Sequence, residues 1–376
     1  MSKRLRGGGS GGPGGQRVAP APEPPDSSDS LVQRYDAGVR KNLLLILASL
    51  VVTLILMVAF AGLGATDTRA GDILATLLAL AKGERLTTAQ KVILHLRLPR
   101  VVMAVIAGVG LAVSGAAMQG ITRNPLVSPF TIGISNAAAF GASLAIVFGL
   151  GIAPDTGFGI VLTAFALAFL CAALVYLVSL RVGMTPEAIV LTGIAVNYLF
   201  SAATSVIQYF ADEYRLAAAV AWAFGSFNGA EWREAGVMAA IVGLCFIGLY
   251  SQAPTLNALS GGDDQVARSM GVNPARVRIF TGVLSVLATA SVISFTGVIG
   301  FVGLAGPHIA RLLIGGDHRF LLPFSALAGA ILMLVSDTIG RLILAPVMIP
   351  VGIVVSFLGA PIFINLILTR RKEGGF

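Results

Sequence analysis

The chain has 376 residues, of which 56% are hydrophobic types and only 12% charged, with a mean hydropathy of +0.87. Soluble domains carry about 25% charged residues, so a water-clothed globule is excluded and the reading is an all-α, polytopic membrane bundle. The net charge of +8 fits cationic loops that set orientation in a bilayer; without a basic stripe interleaved with aromatics, it does not indicate nucleic-acid binding.

Residues 1–42 are rich in Gly, Pro and Ser with scattered charge. Such a stretch buries too little apolar surface to offset its ordering entropy, so a disordered cytoplasmic tail is expected. It does not read as a signal peptide, because the first apolar run starts late, is long, and lacks a clear cleavage site. A membrane domain over 43–372 follows.

A bilayer core needs about 20 apolar residues per helix. Runs of this kind predict ten spans, at 43–63, 101–121, 130–152, 157–180, 188–210, 235–253, 279–296, 298–314, 320–340 and 347–368. Residues 279–314 would reach about 54 Å as one helix, too long for one crossing, so a break is expected near Gly297 and Gly300. The apolar piece at 217–227 is too short to span and reads as re-entrant or interfacial.

Ten spans place both termini on one side. With that side cytoplasmic, inner segments hold 17 Lys/Arg and outer segments nine, the sign the positive-inside rule requires. Six of the nine lie in residues 64–100, a local excess on the outer side. Many of the 45 glycines fall inside spans, among them Gly108, Gly110, Gly115, Gly120, Gly133 and Gly141. Small residues let membrane helices approach closely.

The chemistry that is missing narrows the function. No Gly-Lys dipeptide occurs, so there is no Walker A loop. Cys171 and Cys245 sit in apolar runs and give no disulfide framework or metal spacing. The three histidines, His95, His308 and His318, form no motif, and His308 reads as a packed helix residue, not a heme ligand. No catalytic group, resident metal or cofactor is expected. Proton-coupled carriers need acids or histidines within the membrane. The acid inside a predicted span is Asp337, four residues before Arg341, which suits a local ion pair. The chain is a pathway without an engine, and uphill transport would need a partner's energy. A self-sufficient proton- or sodium-driven carrier and an intramembrane hydrolase are the rival readings.

Several stretches carry a resemblance: LRLPR at 96–100, MQGITRNPLVSPFTIGISNAAAFGA at 118–142, ALSGGDDQVARSMGVNPARVR at 258–278, GFVGLAGPHIARLLIGGDHRFLLP at 300–323, SDTIGRLI at 336–343 and PVGIVVSFLGAPIFI at 350–364. In this order the chain resembles the FecCD-type permeases of ABC importers for iron chelates and cobalamin, over about 43–372. The resemblance implies a ten-helix, type II importer fold in the plasma membrane of a bacterium or archaeon. It also implies a second permease subunit, identical or paralogous, two separate ATPase subunits and an extracytoplasmic binding protein. The expected cargo is an iron chelate, foremost a ferric siderophore, with heme and cobalamin as alternatives.

By the same resemblance, Arg97, Arg100 and Arg341 would receive carboxylates of the binding protein, although Arg341 equally suits pairing with Asp337. The loop holding Asp263, Asp264, Ala267, Arg268 and Gly271 would touch the ATPase. The family shows Gly-acid-x-x-Ala there, and Gly262-Asp263-Asp264-Gln265-Val266-Ala267 is one residue longer. Thr185, Pro186 and Glu187 stand where the family places an inner gate. They also form an ordinary helix start, with cap, proline and first-turn acid.

Overall fold

The computed structural model describes residues 28–63, 70–152 and 158–372. The chain divides into a short first unit, Met1–Lys41, and a second, Asn42–Phe376. The secondary structure among the described residues is helical. In chain order the helices are α1 Ser28–Gly62, α2 Ala70–Ala81, α3 Thr88–Val92, α4 Leu98–Thr122, α5 Ile134–Phe148, α6 Gly159–Arg181, α7 Pro186–Tyr209 and α8 Glu213–Ala223. They continue with α9 Trp232–Ser251, α10 Ala253–Ser260, α11 Asp264–Ser269, α12 Pro274–Thr296, α13 Val302–Ile314, α14 His318–Leu342 and α15 Val351–Lys372. A widened π turn over Ile93–Arg97 joins α3 to α4 without a break.

Seven helices are long and apolar enough to cross a membrane by themselves: α1, α4 with its extension, α6, α7, α9, α12 and α14. The shorter apolar helices α5, α13 and α15 fall at the other three expected spans. Helices suit this setting because hydrocarbon offers no partner to a free backbone N–H or C=O, and a helix satisfies both internally. The expected break lies where the spacing put it: α12 stops at Thr296, Gly297 adopts φ +75°, and α13 starts at Val302. Residues 217–227 overlap the short α8. One feature differs from expectation. Helix α1 begins at Ser28, inside the stretch expected as tail, whose residues 1–27 lie outside the described residues. The outer segment at 64–100, to which no element was assigned from sequence, holds α2 and α3.

Helix α4 is the axis of the second unit. It packs against α9, α12, α13 and α14, and from Ala104 through Thr122 nearly every residue is buried. The approach is backbone to backbone. A Cβ added at Gly108 would land on the carbonyl of Gly329 in α14, and one at Gly115 on that of Gly303 in α13. Its 25 residues rise about 37 Å, so its two ends are separate places. Arg100 at its start meets Asp337, near the end of α14. Arg123, just past its finish, meets Asp264 at the start of α11. These ends are the two candidate sites.

Candidate functional site

At the first end, the three arginines predicted from sequence lie near one another, two of them on one acid. Arg100 donates from Nε and Nη2 to both carboxylate oxygens of Asp337, at 2.8–3.1 Å, and from Nη1 to Asn228 Oδ1 at 2.6 Å. Arg341 lies 3.2 Å from Asp337 Oδ2 and donates to the carbonyls of Phe60 and Leu63. Arg97 donates to the carbonyls of Ala61 and Gly62. The expected Asp337–Arg341 pair is present, but Asp337 is shared with Arg100 and is only 3% exposed, against 13% and 10% for its partners. The arginines thus stitch the end of α1, the start of α4 and the end of α14, with one acid offsetting part of their charge. Just before them in the chain, Lys82, Arg85, Lys91 and His95 are exposed. Lys82, Arg85 and Lys91 belong to the local excess of Lys and Arg in residues 64–100.

At the second end the expected coupling loop is a short helix, α11. Asp263 caps it, its Oδ1 accepting from the backbone N–H groups of Gln265 and Val266 at 2.9 Å. Gly271 adopts φ +79° and closes the loop after Met270. Asp264 and Ala267, three residues apart on one face, turn inward, and Ala267 is fully buried. Gln265, Val266, Arg268, Ser269 and Met270 are exposed. The register follows: Asp264-Gln265-Val266-Ala267 keeps the acid-x-x-Ala spacing, and Asp263 is the additional residue, used as the cap.

Asp264 is a hub. It accepts from Arg123 Nη2 at 2.7 Å and from Arg278 Nη1 and Nη2 at 2.8 and 2.7 Å. Its carboxyl is held below the usual carboxylate range, first by the hydrogen bond from Arg278. Burial opposes this, and the charges of Arg278, Arg123 and Arg268 add to it. Arg278 carries no signal of its own in the sequence, since its partners are Asp264, Met184 and Ile121, none adjacent in the chain. Close by, burial works against ionisation of Asp317, but hydrogen bonds from Arg319 and Asn257 hold it down to about 2.

Thr185 caps α7, its Oγ1 accepting from Ala188 N–H at 3.2 Å, with Pro186 at the first position and exposed Glu187 in the first turn. The helix-start geometry is therefore present. The carbonyl of the preceding Met184, at φ +56°, accepts from Arg278. Among the described residues no group of three or more His, Cys, Asp or Glu could hold a metal. His308 lies buried within α13.

Comparison with known proteins adds the identity of this architecture. The sequence matches the FecCD transport family over residues 49–369. It is 47% identical over 290 residues to a Methanocaldococcus jannaschii protein, MJ0087, that bears the name of an ABC transporter permease, covering 75% of this chain and 83% of the relative. It is 39% identical over 282 residues to the Yersinia pestis hemin transport system permease HmuU, covering 74% and 84%. Other relatives are named for import of Fe(3+)-citrate, molybdate and cobalamin. A solved inward-facing ABC transporter described as metal-chelate type superposes with a TM-score of 0.76 at 33% identity, over 86% of this chain and 98% of that one. These relatives are transport subunits and not enzymes, and permeases of this kind work with ATPase subunits and a binding protein. The chain, an ABC importer permease, belongs to the FecCD transport family.

Proposed function

We propose that this permease carries a ferric chelate, specifically a ferric siderophore, through the plasma membrane. The ligand arrives from an extracytoplasmic binding protein at the Arg97–Arg100–Arg341 end and leaves at the Asp264 end. There, two ATPase subunits would take the exposed face of α11, and the Thr185–Glu187 turn would lie at the inner gate. A second permease subunit, identical or paralogous, would complete the path, with both termini in the cytoplasm. The observation that carries this reading is the separation of two unlike charged sites at opposite ends of α4. One is a cationic cluster preceded in the chain by the exposed Lys82, Arg85 and Lys91, which suits an acidic partner. The other is a short capped helix that offers one face outward, a shape suited to a groove.

The cargo reading has separate support. A cavity of about 630 Å³ opens among the end of α8, the 298–301 turn and α15, lined by Phe224, Val298, Phe301, Ile353, Phe357 and other small or apolar groups. Apart from the Ser356 hydroxyl this lining has no side-chain oxygen or nitrogen for a bare cation, so iron would travel already saturated inside an organic chelator. Asp337, the acid foreseen inside a span, is held between two arginines, which argues against a proton relay. Hemin is the second reading, favoured by the 39% identity to HmuU.

Uptake of cargoes each labelled on its own metal, in vesicles holding the complete importer, tests the cargo. Ferric siderophore should accumulate only with ATP and the binding protein, while hemin, cobalamin and molybdate should not. Accumulation of hemin or cobalamin in place of the siderophore would replace the cargo while leaving the class intact.

A further inference from the structure

One buried side chain joins the two cytoplasmic features that the proposed function assigns separately. Arg278 lies in the first turns of α12 and is 1% exposed, the largest fully buried side chain among the described residues. Each guanidinium nitrogen is engaged. Nε donates to the carbonyl of Ile121 at 3.2 Å, Nη1 to that of Met184 at 3.2 Å, and Nη1 and Nη2 to Asp264 at 2.8 and 2.7 Å. A planar fork of fixed donors suits this task and a lysine does not, because an ammonium offers three donors from a single atom and cannot make four bonds from three separated nitrogens.

The three segments so joined are the last turn of α4, the turn before α7 and the first residue of α11. Two of them are pinned at awkward backbone. Arg123, which clasps Asp264 and the carbonyl of Gly262, has φ +51°, and Met184 has φ +56°. Non-glycine residues hold such angles only where their surroundings over-determine them. The inward face of α11 is thereby fastened, while its outward face is free for a partner.

We propose that Arg278 is the positioning residue that transmits displacement of α11 to the Met184–Glu187 turn. When a partner pushes α11, the carboxylate of Asp264 moves the guanidinium, which moves the Met184 carbonyl and the N-terminus of α7. The fork makes α11 and this turn one rigid piece. This rests on the reading of α11 as the ATPase contact.

The test uses the importer purified through a tag on this chain, with its ATPase and binding protein, in proteoliposomes. Arg278→Lys keeps the charge and loses the fork. Uptake per ATP hydrolysed should fall about tenfold, the size of an ordinary coupling between sites, while ATPase binding and hydrolysis persist. Spin labels at Glu187→Cys and Gln265→Cys should keep one separation with and without ATP in the parent, and two separations in Arg278→Lys. Proportional loss of uptake and hydrolysis, or a label separation indifferent to Arg278, overturns the proposal. If the lysine variant does not fold, the label pair in the parent still decides: a separation that changes with ATP refutes a rigid link. Failure of the underlying reading shows differently, as Val266→Asp on the exposed face leaving ATPase binding unchanged.

Discussion

Asp337 shows how much a single residue's role depends on partners the chain order hides. From sequence it has one visible mate, Arg341, a helical turn away. In the fold it also closes on Arg100, and the pair of guanidinium groups is largely enclosed. Removing the acid would leave two neighbouring cations in a poorly solvated place, the situation in which broken buried pairs cost most. Asp337→Asn should therefore lower stability by about 3 kcal/mol, read as a lower thermal midpoint in detergent. An unchanged midpoint would mean that water already screens the cluster. Asp264 belongs to the same scale but predicts a pH dependence. Its folded pKa lies below its ordinary 3.8. The stability it contributes is thus fully present above the unfolded pKa and is lost as pH falls through the folded one. The gap in thermal midpoint between the parent and Asp264→Asn should be constant near neutrality and shrink once pH drops below about 4. A gap that widened on acidification would contradict the assigned hydrogen bonds.

At the scale of elements, the membrane helices were the legible part, because hydrocarbon thickness fixes how long an apolar run must be. Even the α12–α13 break could be placed, since a continuous 36-residue helix would overshoot the bilayer and glycines stood at the midpoint. What composition could not convey was which helix is central. Helices α1 and α4 are both strongly apolar, yet 6% of the first and 78% of the second is buried in its most apolar window. Only the glycine pattern distinguished them, and its meaning lies in the contacts. Gly108 meets Gly329 backbone to backbone, and Gly115 meets Gly303, with no space for a methyl group at either crossing. Gly108→Ala should force α4 from α14 and cost about 3 kcal/mol, at the upper end for overpacking. Gly236→Ala in α9, where an added Cβ meets nothing within 4 Å, is the matched control and should hold or slightly raise the thermal midpoint, as helix propensity favours Ala. Equal behaviour of the two variants would show that the crossing tolerates expansion. Helices α2 and α3 are too short to carry the length signal that marks a span; the Thr87 capping box with Gln90 is the local signal for α3.

For the whole molecule, the candidate sites were legible as motifs but not as arrangements. Arg97, Arg100 and Arg341 could be named, yet their anchoring to carbonyls and to Asp337 is a product of folding, as is the convergence of Arg123 and Arg278 on Asp264. That anchoring divides the labour at the proposed docking end. Steering of an approaching partner acts through exposed charge, whereas enclosed charge sets how long a docked partner stays. Lys82, Arg85 and Lys91 are exposed and close in sequence to the LRLPR stretch; Arg100 and Arg341 are largely enclosed. Reversing Arg100 would also set a carboxylate against Asp337 and confound docking with folding, so the exposed trio is the cleaner probe. With the permease in nanodiscs, the combined Lys82→Glu, Arg85→Glu, Lys91→Glu variant should bind its binding protein about tenfold more slowly at low salt, with little change in dissociation rate. The difference should vanish near 1 M salt, where screening acts over about 3 Å. Arg97→Ala should do the reverse, speeding dissociation with little effect on association. If the triple reversal leaves the low-salt association rate untouched, the binding protein does not approach this end, and the proposed direction of transport falls with it.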